Sequence, residues 1–408
     1  MRMAVLVADN AAELASLEAR DTGKPMKQAR ADMVAVARYF EYYGAAADKL
    51  HGETIPFLNG YFVATEWEPL GVSGHIIPRN YPGQMFARSV APSLAVGNTT
   101  VVKPAEEACL VPLRLAELAV EAGFPEGVIN VVPGIGEEAG AALSAHGGID
   151  YISFTGSPEV GTLVQAAAAR NHVKCTLELG GKSPQVVFAD ADLETAAASV
   201  INAIVQNSGQ TCSAGSRVLI ERALWGEFTA ILSNRFEQLQ VGTPEMDLDL
   251  GPVISAAQKM RIERMLAKAE ATGSRRLATG RLSPSLPTGG FYVAPAIYEA
   301  ARDSEIAKEE VFGPVLTALP FDDEEDAVKL ANGTDYGLIA GIWTRDGSRA
   351  LRVGRQVRAG QVYFNAYGAG GGIELPFGGT KKSGHGREKG LAALHEVAAL
   401  KTFIFKHN

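Results

Sequence analysis

Between Leu70 and Arg170 the chain alternates short apolar runs with amphipathic stretches, and this alternation constrains the fold most. Residues 71–77, 99–102, 128–132 and 151–154 read as strands; 88–95, 110–122, 137–145 and 159–170 read as the helices between them. Parallel neighbours need such crossovers, so the expectation is an α/β protein with doubly wound parallel sheets. Ligands of these sheets sit beyond the carboxyl ends of the strands. From Lys182 the alternation repeats, with helices near 196–206 and 258–272. The opening is helical over 1–20, is broken by Asp21, Gly23 and Pro25, and is helical again over 27–50. Residues 61–68 alternate as a strand does, and 400–405 read as a terminal strand suited to pair with them. No repeat or low-complexity linker separates these parts, so the domains are interleaved or joined by short turns.

A chain of 408 residues exceeds one compact domain. Its net charge of -8 opposes nucleic-acid binding, which needs a positive field. The first ten residues are too short and too acidic for a signal peptide, and no apolar run is long enough to span a bilayer. Cys109, Cys175 and Cys212 form neither a metal-spaced cluster nor an even disulfide set. The expectation is a cytoplasmic protein with no metal, no membrane contact and no nucleic-acid partner.

Several segments carry possible chemistry, each with a plainer reading beside it. Thr155-Gly156-Ser157-Pro158-Glu159 joins a strand to a helix, with Ser157 as N-cap and Pro158 at the first helical position. It is either a well-capped buried helix or a phosphate site, where Gly156 admits a ligand to the backbone. The turn at Gly134 and Gly136 is similar. Cys212 lies in a small, polar, glycine-flanked loop, 207–216, as an inert thiol or an accessible nucleophile. Glu178, between Leu177 and Leu179, is a solvated strand end or a general base raised by burial. Asn80, before Tyr81 and Pro82, is a turn former or an oxyanion donor.

Taken together, Val102-Lys-Pro-Ala-Glu106, Phe154-Thr-Gly-Ser157, Glu178-Leu-Gly-Gly-Lys-Ser-Pro184, Gly209-Gln-Thr-Cys212, Glu310-Val-Phe-Gly-Pro314 and Pro376-Phe-Gly-Gly379 occur in order. The set resembles the aldehyde dehydrogenase superfamily from about Asp21 to the C-terminus. The resemblance implies an NAD-dependent, non-acylating enzyme, a homodimer or homotetramer that turns an aldehyde into an acid. Cys212 would form a thiohemiacetal and then a thioester, Asn80 and the Cys212 N–H would hold the oxyanion, and Glu178 would activate water. Lys103 and Glu106 would bind the adenosine ribose, Gly136 would line the adenine side, and Gly156 and Ser157 would face the pyrophosphate. Glu310 and Phe312 would position the nicotinamide ribose and ring. A carboxylate at Glu106 repels a 2′-phosphate and so favours NAD over NADP. CoA-acylating relatives generally lack the glutamate at Glu178. The implied domains are 1–50 with 70–180 for the cofactor, 181–385 for catalysis, and 51–69 with 386–408 for subunit contact.

Three departures from the family pattern stand out. The chain starts inside what is a helix in the family, as a truncated, catalytically silent relative would. Arg79 replaces a usual tryptophan, and the loop 368–375 puts small residues near the substrate mouth. Arg88 is either a surface arginine or, as in relatives acting on semialdehydes, the partner of a substrate carboxylate. Gln206 stands where succinic-semialdehyde enzymes carry a second arginine. Tyr81 and Glu374 complete the candidate substrate contacts, which together imply a polar or carboxylate-bearing aldehyde.

Overall fold

A computed structural model describes residues 1–368 and 372–407. Two sheets organise it. The first runs, in spatial order, Gly384–His385, Lys174–Glu178, Tyr151–Thr155, Val72–Ile76, Thr99–Lys103 and Ile129–Val131. All its pairings are parallel except that of Gly384–His385 with Lys174–Glu178. The chain winds outward from Val72–Ile76 to Ile129–Val131, then returns to Tyr151–Thr155 on the other side of its starting strand. Strand order therefore reverses between Val72–Ile76 and Tyr151–Thr155, which opens a crevice at their carboxyl ends.

The second sheet runs Arg275–Thr279, Ala296–Glu299, Val315–Phe321, Arg217–Glu221, Pro184–Val187, Ile339–Trp343 and Gln361–Phe364, antiparallel only at its first pairing. Its central strands are buried at every position but Pro320 in Pro184–Val187, Val315–Phe321 and Ile339–Trp343, as two-sided helix cover requires. A separate antiparallel pair joins Tyr61–Pro69 to Ala398–Lys406, from Tyr61 opposite Lys406 to Pro69 opposite Ala398. The early and terminal β segments thus meet as expected.

Several boundaries differ from the sequence expectations. The opening is two helices, Arg2–Asp9 and Ala11–Thr22, parted at Asn10. The helix expected at 88 starts at Pro82 and runs to Ala95, because a proline in the first turn forfeits only an N–H with no intrahelical partner. The stretch expected as helix from 137 opens with a wide turn at Gly136–Gly140 before the helix Ala141–Ala145. The helix Leu193–Val205 ends one residue before Gln206, and Asn207 and Ser208 then take left-handed conformations at φ 47° and 54°.

A buried charged cluster ties the helix Met26–Ala46 to the helix Pro82–Ala95. Lys24 Nζ donates to Glu18 at 2.6 Å and to Asp32 at 2.5 Å and lies 4.2 Å from the centre of the Tyr81 ring. The other Glu18 oxygen accepts the Gly83 N–H at 3.2 Å, placing a carboxylate at the first turn of Pro82–Ala95. Burial pushes the Glu18 carboxyl up to about 8, against the pull of Lys24. Tyr81, braced from below, reaches Thr211 through its hydroxyl at 2.9 Å.

Candidate active site

A cavity of about 1180 Å³ lies over the carboxyl ends of the first sheet and reaches the loop that carries Cys212. The loops after four of its strands contribute Asn80, Glu106, Gly156 with Ser157, and Gly180 to the walls. Lys103, Gly136, Glu178, Glu310, Phe312, Tyr81, Arg88 and Cys212 line the same space. Glu374 does not: it is exposed and ion-paired with Arg38 at 2.7 Å. Of the small-residue loop, Gly368 and Gly372 reach the wall, and positions 369–371 lie outside the described residues.

The Cys212 loop is held from several sides. Asn80 Nδ2 donates to the Gln210 carbonyl at 2.8 Å, and Asn207 Nδ2 donates to the Asn80 carbonyl at 2.8 Å. The Asn207 N–H donates to Gln28 Oε1 at 2.8 Å, and Ser208 Oγ donates to the Gly251 carbonyl at 2.8 Å. Left-handed backbone at two successive non-glycine residues costs roughly 1–2 kcal/mol each, and these bonds offset it. Gly181 passes close beneath: a Cβ there would lie 2.3 Å from the Cys212 carbonyl oxygen, so only glycine fits. Asn207 and Gly181 are positioning residues that sequence reasoning missed. The asparagine's tolerance of left-handed backbone was the available signal.

Cys212 is half-buried against Leu338, Ile339 and Phe377. Burial pushes its thiol up to about 12, while Arg88 pulls it down. Glu178 ends the strand Lys174–Glu178 and is buried, with both carboxylate oxygens lacking a hydrogen-bond partner among the described residues. Burial raises it to about 8, with Arg88 opposing. Arg88 is itself buried. Its guanidinium pairs with Glu388, stands 3.6 Å from Glu178, and stacks 4.3 Å from the Phe377 ring centre. The carboxylates it meets here are the protein's own.

At the other end, Ser157 caps the helix Pro158–Arg170 by accepting the Val160 N–H at 3.3 Å. The Gly156 N–H donates to the Glu178 carbonyl at 3.0 Å, which links this turn to the strand bearing the carboxylate. Lys103 Nζ donates to Glu106 at 2.9 Å. Burial would raise Glu106, but Lys103 together with the N–H groups of Glu106 and Gly136 holds it below the usual range. Glu310 accepts the Gly181 N–H at 3.0 Å and is pushed up to about 7 by burial. Phe312, at φ 55°, is fixed by Gln258 Nε2 donating to its carbonyl at 2.8 Å. Arg79, where the family usually has tryptophan, bridges Glu107 at 2.7 Å and Gln258 at 3.2 Å.

One cavity thus holds a half-buried thiol and a buried carboxylate toward one end and a lysine–glutamate pair with a capped helix start toward the other. The chain belongs to the aldehyde dehydrogenase family, which it matches over residues 1–403. It is an oxidoreductase of aldehydes. It is 43% identical to retinal dehydrogenase 2 of Homo sapiens over 99% of this chain and 78% of that one. A crystal structure from Burkholderia cenocepacia, provisionally called an aldehyde dehydrogenase, is 59% identical, with a TM-score of 0.99 over 100% of this chain and 86% of that one. The NAD+ complex of aldehyde dehydrogenase from Bacillus cereus is 38% identical, with a TM-score of 0.96 over 100% and 83%. Among the described residues no helix is long and apolar enough to cross a membrane.

Proposed function

We propose that the chain oxidises an aldehyde to the free carboxylic acid through a thioester on Cys212, with NAD as acceptor. The carrying observation is one cavity lined by Cys212, Asn80 and Glu178 together with Lys103, Glu106, Ser157 and Glu310. The residues fit a dinucleotide: a lysine–glutamate pair suits ribose hydroxyls, a capped helix N-terminus suits phosphate, and a Cβ on Gly136 would meet only open space. When bound, the nicotinamide accepts the hydride.

The protein's own steps follow from the geometry. The Cys212 thiol gives its proton to water, and the resulting thiolate attacks the aldehyde carbon and forms a C–S bond, and the carbonyl oxygen becomes an oxyanion. Asn80 Nδ2 spends one hydrogen on Gln210 and keeps a second for that oxygen, beside the Cys212 N–H. Loss of hydride restores the carbonyl as a thioester. Glu178 takes a proton from water, the hydroxide adds to the thioester, and the C–S bond breaks to release the acid and the Cys212 thiolate. Arg88, between Glu178 and Glu388, acts as a positioning residue for the base.

A CoA-acylating reading has no need of Glu178 in the wall, and a silent scaffold has no need of Cys212 beside it. NADH formation from an aldehyde panel, with and without CoA, separates the three. NADH and free acid should appear without CoA. An absolute CoA requirement would overturn hydrolysis, and no NADH from any aldehyde would overturn dehydrogenation.

Glu106 supports NAD over NADP, because an ionised carboxylate at the ribose repels an added phosphate. Glu106→Ser should raise the NADP-to-NAD ratio of kcat/KM about tenfold, the scale of one screened charge pair. A wild type that already prefers NADP would refute this role. We also infer a cofactor unit from 1–50 and 70–180, a catalytic unit from 181–385, and subunit contact through 51–69 and 386–408. The exposed Phe62, Phe403, Ile404 and Phe405 on the paired strands fit association into a homodimer or homotetramer.

A further inference from the structure

We propose that Arg79 binds the pyrophosphate of the dinucleotide, and that Glu107 competes with that pyrophosphate for the Arg79 guanidinium. This rests on the reading of the cavity as a dinucleotide site and gives it a cation where the family usually has tryptophan.

Three observations carry it. First, the register of the first sheet puts Arg79 at the crevice. Ile76 pairs with Lys103 on one side and with Phe154 on the other. Three residues beyond these partners the chain presents Glu106, Arg79 and Ser157, and all three line the cavity. Arg79 thus follows the middle strand, between the carboxylate assigned to the ribose and the capped start of the helix Pro158–Arg170. A helix start attracts phosphate only through partial charge, and a full cation on the neighbouring loop strengthens the match.

Second, the guanidinium is held in place with donors to spare. Nη1 donates to Glu107 at 2.7 Å and Nη2 to Gln258 Oε1 at 3.2 Å. Gln258 is buried in the helix Ala256–Ala271 and donates through Nε2 to the Phe312 carbonyl at 2.8 Å, which orients its oxygen for Arg79. Of the five N–H groups in the fork, Nε–H and one on each Nη are left for a ligand.

Third, the carboxylate that Arg79 meets is a weak competitor. The two side chains are 30% and 35% exposed, so water screens the pair, and Glu107 lies outside the cavity wall. The other cations of the wall are engaged or placed elsewhere. Lys103 is held by Glu106, Arg88 by Glu388 and Arg261 by the Glu310 carbonyl. Lys389 lies on the Phe377 ring at the thiol end, and Arg170 closes the helix that Ser157 begins. Arg79 is left beside the helix start, where its planar fork suits two phosphate oxygens at once.

The test measures binding without turnover. NADH is titrated by fluorescence into the full chain, with ADP and AMP as competitors. Wild type should bind ADP more tightly than AMP, and the difference should shrink as salt rises. Arg79→Met should weaken NADH and ADP about tenfold or more and AMP by less, and Arg79→Lys should restore part of the loss. Glu107→Gln should tighten NADH about threefold, because it removes the competing carboxylate. If the arginine were only a strut between Glu107 and Gln258, both variants would bind NADH more weakly. That result, or unchanged binding in Arg79→Met, would overturn the proposal. A loss on NADPH that NADH does not share would overturn it too, by moving Arg79 to a 2′-phosphate. A wild type that binds no NADH would instead remove the dinucleotide reading itself. Should Arg79→Met not fold, Glu107→Gln and the wild-type ADP-to-AMP ratio with its salt dependence decide.

Discussion

Cys212→Ala is expected to abolish NADH formation from every aldehyde, with a loss on the order of 10⁴-fold or more in kcat, the scale of removing a covalent nucleophile. No other cysteine is among the described residues that line the cavity, so no second thiol takes over the attack. The substitution removes one sulfur from a half-buried side chain that packs on Leu338, Ile339 and Phe377. Stability should fall by about 1 kcal/mol, too little to unfold the chain. Dinucleotide binding should persist, because Lys103, Glu106 and Ser157 belong to other strands and loops. The check is NADH production beside a fluorescence titration of NADH binding. Turnover within tenfold of wild type would move the nucleophile elsewhere.

What the sequence revealed of this site follows from the range of the interactions involved. The turn at Gly156 and Ser157 was legible because a cap, a proline and a strand–helix switch act over five neighbouring residues. The pairing of the early and terminal β segments was legible in outline from alternation alone. The surroundings of Arg88 were not. An arginine eight positions after Asn80 reads as a surface cation or as a ligand for substrate. Its partners, Glu178 and Glu388, come from a strand end and from a segment some three hundred residues away. The Lys24–Glu18–Asp32 cluster was missed for a related reason. In a helical, polar stretch these charges look solvated, and it is tertiary packing, by Tyr81 and the first turn of Pro82–Ala95 among others, that buries all three. Glu374 failed in the opposite direction: nearness to the mouth loop in sequence did not turn its side chain inward, and Arg38 holds it at the surface.

Glu178→Gln should leave the first half-reaction and stall the second. The amide keeps the shape of the side chain and loses the ability to take a proton from water, which typically costs about a hundredfold or more. The variant should release a burst of NADH near one equivalent per active site and then turn over slowly, with an acyl group on Cys212 visible by intact-protein mass spectrometry. The wild-type pH profile tests the same assignment from the other side. Burial holds the Glu178 carboxyl near 8, against the pull of Arg88, so the base is protonated at neutral pH and gains activity as the pH rises. The kcat of wild type, measured where hydrolysis limits the rate, should therefore climb through about pH 8 and level off above it. In the glutamine variant that limb should vanish, because an amide does not titrate there. Arg88 bears on the outcome through the sign of its charge: removing it would push the carboxyl further up and move the limb to higher pH. A variant that shows no burst and accumulates no thioester, or that keeps the wild-type limb, would place the hydrolytic base on another residue.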